Sequence, residues 1–140
     1  AKFYQYYDLV KTPQVQAKVL ALDEMKPLVL PLNKPTTILC DAKTACPLTP
    51  FDEGVYERLN YWDLENYKDT DFDFIVLDSK NWGPNTIDTY TRDYQSLEGL
   101  DGLELEVATR HILHETGEFY DLRYELIYEQ NGIELYRRLP

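Results

Sequence analysis

Residues 72–78 read Phe-Asp-Phe-Ile-Val-Leu-Asp. Phe74, Ile75, Val76 and Leu77 are continuously apolar, and the run is short and β-branched at its centre. Those features mark a strand rather than a helix. Continuous apolar character, in place of alternation, calls for burial on both faces, as in a sheet covered by helices. The expectation is therefore an α/β fold: a small layered domain with a mixed, partly parallel sheet flanked by helices. Val76→Asp is expected to unfold it.

The segments on either side support that layering. Thr36 to Cys40 is a second compact strand, introduced by Pro35 and ended by Asp41. Before it, Thr12 and Pro13 read as the N-cap and first residue of a helix. Its apolar stripe runs through Val15, Val19 and Leu22, with Leu20 and Met25 beside it, until Pro27 and Pro31 end it. Residues 42–50, with Pro47 and Pro50, read as loop. Residues 52–67 read as partly helical around Val55, Tyr56, Leu59 and Trp62. Residues 81–102 form a polar excursion, with a short helix around Tyr90 to Leu97. Leu103 to Thr116 reads as a helix with Leu105, Ala108, Ile112 and Leu113 on one face, stopped by Gly117. Tyr124 to Tyr128 and Ile133 to Arg138 flank Gln130-Asn131-Gly132, and Asn-Gly is a strong hairpin signal. A C-terminal β-hairpin is the expected close.

Composition narrows the function classes. The chain has 140 residues, one domain's worth, with 14 Lys and Arg against 25 Asp and Glu and a net charge of -11. Such a surface argues against nucleic acid as a partner, because that affinity rests on neutralising phosphates. No apolar run approaches the roughly 20 residues of a spanning helix. The first residue is Ala1 rather than Met, which reads as a processed chain or a piece of something longer. Phe3, Tyr4, Tyr6 and Tyr7 crowd the start. They suit either an interfacial aromatic belt beside a membrane or a helix packed on a core.

The residues that could carry chemistry are few. His111 and His114 share a helix face with Glu115 nearby, but no third ligand follows at metal-binding spacing, and no metal site is expected. Cys40 and Cys46 are the only cysteines. They can close a small disulfide loop in an oxidising compartment, or stand as two unrelated thiols. Asp69, Asp71 and Asp73 lack the spacing and glycine of a calcium loop. Asp41 and Asp78 each end a strand, the place where α/β sheets put ligand groups, although capping and solvation is the simpler account of both. Twelve Tyr and two Trp suggest aromatic faces for a sugar or peptide, with Tyr61, Trp62, Trp82 and Tyr90 in polar surroundings, or else a core edge. No nucleophile elbow and no glycine-rich phosphate loop occurs, and nothing implies a cofactor.

The order of segments, with Pro35-Thr36-Thr37-Ile38-Leu39-Cys40-Asp41, then residues 73–78, then the closing Tyr-Glu-Leu-Ile-Tyr-Glu-Gln-Asn-Gly-Ile-Glu-Leu-Tyr-Arg-Arg of residues 124–138, resembles a known group. It is similar to the C-terminal soluble tails of multi-pass bacterial membrane proteins of the glycosyltransferase C superfamily, the dolichyl-phosphate-mannose mannosyltransferase-like group. The resemblance implies residues 1–11 as a juxtamembrane connector and residues 12–140 as a single domain on the extracytoplasmic face of the membrane, in the periplasm or at the cell surface. It implies a non-catalytic accessory role beside the chain's own transmembrane body, supporting a glycan or lipid-linked sugar acceptor or a partner. The catalytic acid of such transferases lies in the membrane body, so no catalytic residue is carried over. A free-standing extracellular carbohydrate- or peptide-binding module is the alternative. Asp41, Asp78, Trp62 and Trp82 are the ligand-binding candidates.

Overall fold

A computed structural model describes residues 13–29, 36–40, 56–61, 64–67, 69–79, 94, 96–100 and 102–140. Its elements in chain order are helix α1 (Pro13–Met25) with a short 3-10 turn (Lys26–Leu28), strands β1 (Thr36–Cys40) and β2 (Tyr56–Asn60), and helix α2 (Leu64–Tyr67). Strand β3 (Phe74–Asp78), helix α3 (Gly102–Thr116) and strands β4 (Glu118–Phe119), β5 (Leu122–Gln130) and β6 (Ile133–Arg138) follow.

The strands form one sheet in the order β2-β1-β3-β6-β5-β4. β1 runs parallel to β2, with Thr36 opposite Tyr56 and Cys40 opposite Asn60. It also runs parallel to β3, with Ile38 opposite Phe74. β6 then enters antiparallel to β3, pairing Phe74 with Arg137 and Asp78 with Ile133. β5 pairs antiparallel with β6, with a bulge between Leu126 and Tyr128, and β4 adds a short antiparallel rung to β5. The sheet is mixed and partly parallel, as expected, and closes with the expected hairpin.

Every residue of β3 is buried, which is why its apolar run does not alternate. Successive side chains leave the strand on opposite faces. Phe74 and Val76 join Ile38, Cys40, Ile133 and Leu135 in one cluster, closed by Ala21, Leu22, Met25 and Val29 of the α1 segment. Ile75 and Leu77 join Leu39, Tyr124 and Tyr136 in the other, closed by Leu105, Val107, Ala108 and Leu113 of α3. The domain thus has three layers, α1, sheet and α3.

The local signals explain the turns. Asn131 (φ 53°) and Gly132 (φ 84°) both take the left-handed conformation that a two-residue hairpin turn needs. Gly117 (φ 70°) ends α3, and its amide donates to the Leu113 carbonyl.

Three expectations fail. Residues 56–60 are strand, not helix: Val55, Leu59 and Trp62 repeat at helical spacing, but the backbone of 56–60 is drawn into a five-residue parallel ladder with β1. Tyr94, Ser96 and Leu97 are not helical; Tyr94 and Leu97 are buried against the α3 cluster instead, so tertiary packing sets their backbone. On α1, Leu20 is 57% exposed while Lys18 is 8% exposed; the inward face is Lys18, Ala21, Leu22 and Met25, for a reason given below. The expectations for the aromatic start, Thr12, the side chain of Val15, and residues 42–50 lie outside the described residues.

Candidate functional site

The sheet's polar residues are first of all structural. Asp78 is fully buried, and its Oδ2 lies 2.8 Å from Lys18 Nζ of α1. As the fifth and last residue of β3 it shares the parity of Phe74 and Val76 and leaves the sheet on the α1 face, where Lys18 meets it. A carboxylate placed by sequence at a ligand position is therefore an internal ion-pair partner.

Glu134 mirrors it on the α3 face. It stands opposite Leu77 on β6 and is 1% exposed. Arg110 of α3 grips it through two nitrogens, Nε at 3.0 Å from each oxygen and Nη2 at 2.9 Å from Oε2. The Tyr136 hydroxyl donates to Oε1 at 3.0 Å, and His114 Nε2 lies 3.4 Å from the same oxygen. Burial pushes the Tyr136 phenol above its ordinary range, and the neighbouring Glu134 charge adds to this. His111 turns to a different neighbour, an edge-on contact with Tyr94 at 6.5 Å. The two histidines do not converge. Among the described residues no group of three acidic, histidine or cysteine side chains could hold a metal.

Asp73 knots the other end of β3. Its Oδ2 accepts from the Thr37 amide at 3.1 Å, and its Oδ1 accepts from Arg138 at 3.1 Å. Nearby, Tyr124 donates its hydroxyl to the Phe72 carbonyl at 2.7 Å, and burial raises its pKa well above the usual phenol value. Cys40 is buried and disulfide-bonded. Cys46, Asp41, Trp62 and Trp82 lie outside the described residues.

What the sheet does not consume is a groove on its α3 side, with a volume of about 970 Å3. Its apolar walls come from Leu64 of α2, Leu97 and Leu100 of the 96–100 turn, and Leu105 and Ile112 of α3. Tyr61, Phe119 and Tyr120 add aromatic surface. Its charged lining is Glu65, Glu98, Glu118 and Asp121. All four are exposed.

The β4–β5 turn builds one rim of this groove. Tyr120 (φ 45°) and Asp121 (φ 69°) occupy its two central positions. These are left-handed positions that favour Gly, Asn and Asp, and a bulkier residue such as Tyr120 costs about 1–2 kcal/mol there. The ring of Tyr120 stands edge-on to Phe119 at 4.7 Å and is 40% exposed. Phe119, 2% exposed, is anchored in turn by edge contacts with Phe72 and Tyr124. A rigid aromatic base thus carries an exposed ring and a carboxylate. Of the aromatic residues singled out in the sequence, the groove gathers Tyr61. Sequence reading missed Tyr120 and Asp121. The detectable signal was a tight turn, Tyr-Asp, where Asn-Gly chemistry belongs.

Searches against protein-family models, curated proteins and solved structures find no match to this chain.

Proposed function

We propose that the chain is a non-catalytic accessory domain of a membrane glycosyltransferase-like protein, standing on the extracytoplasmic side of a bacterial membrane, and that its groove supports binding of an acceptor or partner. The observation that carries this reading is the division of its polar groups. Asp73, Asp78 and Glu134 are buried in ion pairs that hold strands and helices together. The exposed carboxylates and Tyr120 instead line an open groove. That is how a binding surface is built on a scaffold: rigid anchors beneath, accessible groups at the rim. The resemblance of residues 36–41, 73–78 and 124–138 supplies the parent class.

The coding sequence upstream of Ala1 tests the parent. A frame encoding a series of spanning helices is the expected finding. A frame that opens near Ala1 would exclude the membrane transferase and leave the second reading, a free-standing carbohydrate- or peptide-binding module. The exposed Tyr120 ring beside Asp121 favours that alternative, since an aromatic face next to a carboxylate suits a sugar ring or a peptide side chain.

A further inference from the structure

The groove's electrostatics go further than its shape. Its described lining holds four carboxylates, from α2, the 96–100 turn and the β4–β5 hairpin, and no Lys, Arg or His. In the core, by contrast, three buried carboxylates are each matched with a cation: Asp78 with Lys18, Glu134 with Arg110, Asp73 with Arg138. Glu98, Glu118 and Asp121 form no ion pair among the described residues. Negative charge converging on a concave surface with low-dielectric walls concentrates cations and repels anions.

Resting on the reading of the groove as a binding surface, we infer that its occupant is a peptide segment carrying Lys or Arg side chains between apolar ones. The carboxylates come from separate elements around a volume of about 970 Å3, so one ammonium group cannot meet them all; a segment with several cations can. Leu100 and Ile112, the half-buried apolar residues of the wall, offer contact to apolar side chains, which a sugar does not carry. The exposed Tyr120 ring lies where a Lys or Arg group can stack on its face. The same charge disfavours a lipid phosphate-linked sugar, whose phosphate would enter a field of its own sign.

The test is fluorescence anisotropy with the full chain and four labelled probes: a peptide of alternating Lys and Leu, its counterpart with Glu for Lys, a neutral mannose oligosaccharide, and a short-chain polyprenyl phosphomannose. The Lys-Leu peptide is expected to bind best, and more weakly as salt rises. Each exposed ion pair is worth up to about fivefold in affinity. Combining Glu118→Lys with Asp121→Lys should therefore weaken binding about tenfold, within a ceiling of about 25-fold. Asp23→Lys, an exposed position on α1 across the sheet, should leave it unchanged. Equal losses from Asp23→Lys would reduce the effect to net charge and overturn the inference. Preferred binding of the oligosaccharide or phosphomannose, lost with Tyr120→Asn, would also overturn it while leaving the groove as the site. No response of any probe to groove substitutions would overturn both readings.

Discussion

Asp78 and Glu134 stand one register step apart across the β3–β6 ladder, and their carboxylates leave the sheet on opposite faces, one to Lys18 of α1 and the other to Arg110 of α3. Each helix is thereby fastened to one of two neighbouring strands, α1 to β3 and α3 to β6, by one ion pair whose carboxylate is buried. The cost of burying these charges is met only while both partners are present.

Removing one partner should therefore be far worse than removing both. Lys18→Met leaves the buried Asp78 carboxylate alone and is expected to destabilise the domain by about 3–5 kcal/mol. Adding Asp78→Leu should recover most of that loss. Urea unfolding of both single variants and the double variant measures the coupling; additive effects would show the pair is not the α1 fastening.

On the other face the geometry of the cation matters as well as its sign. Arg110 holds Glu134 through two nitrogens, a fork that Lys does not reproduce. Arg110→Lys should cost stability, and Arg110→Ala more, by about 3–5 kcal/mol. Thermal melts of the two variants rank them.

The β4–β5 turn predicts a conflict between stability and binding. Replacing Tyr120 and Asp121 by Asn and Gly puts the residues such a turn favours at two left-handed positions and is expected to raise stability by about 1 kcal/mol or more. It also strips a ring and a carboxylate from the groove. A variant that melts later and binds more weakly is the expected result; unchanged stability would show the turn is relaxed as it stands.

High pH should loosen the domain through its phenols. Burial raises Tyr124 and Tyr136, and Tyr128 is pushed up to about 12 by burial and by its hydrogen bond to Glu24. A group whose folded pKa is raised stabilises fully below its unfolded value, here about 10, and loses that contribution as pH climbs through the folded value. Stability is therefore expected to fall from about pH 10 to 12 and beyond. Tyr124→Phe should blunt the fall while costing about 1 kcal/mol at neutral pH, since its hydroxyl bonds the Phe72 carbonyl. Tyrosinate absorbance recorded alongside circular dichroism follows both processes.

Val76 makes the simplest check of the layering. It is fully buried between strands and α1, so Val76→Asp would place an unpaired charge in the core and should abolish cooperative melting.

Strong local patterns carried much of this fold in the sequence. The continuous run at 74–77, the Asn131–Gly132 turn and the Gly117 stop each state a backbone requirement in a few residues, and each was legible. Residues 56–60 were not, because their strand exists through pairing with β1, and the sequence records its own spacing but not its neighbour's. Lys18 shows the same limit. Nothing in the sequence singles Lys18 out as an inward residue; its place is explained only by Asp78 across the layer. The groove was least legible of all, since it gathers side chains from α2, the 96–100 turn, α3 and β4–β5 that share no motif.

The position of β6 has a consequence for the order of folding. It is the last strand of the sheet in chain order, yet it lies between β3 on one side and β5 on the other. During synthesis β1, β2 and β3 emerge with one edge of β3 open, and they wait for residues 133–138 before that edge is covered. The central pairing joins segments far apart in the chain, which slows closure and leaves apolar strand surface open meanwhile. A nascent chain halted at Gln130 would present the whole flank of β3, Phe74 to Asp78, to chaperones and proteases.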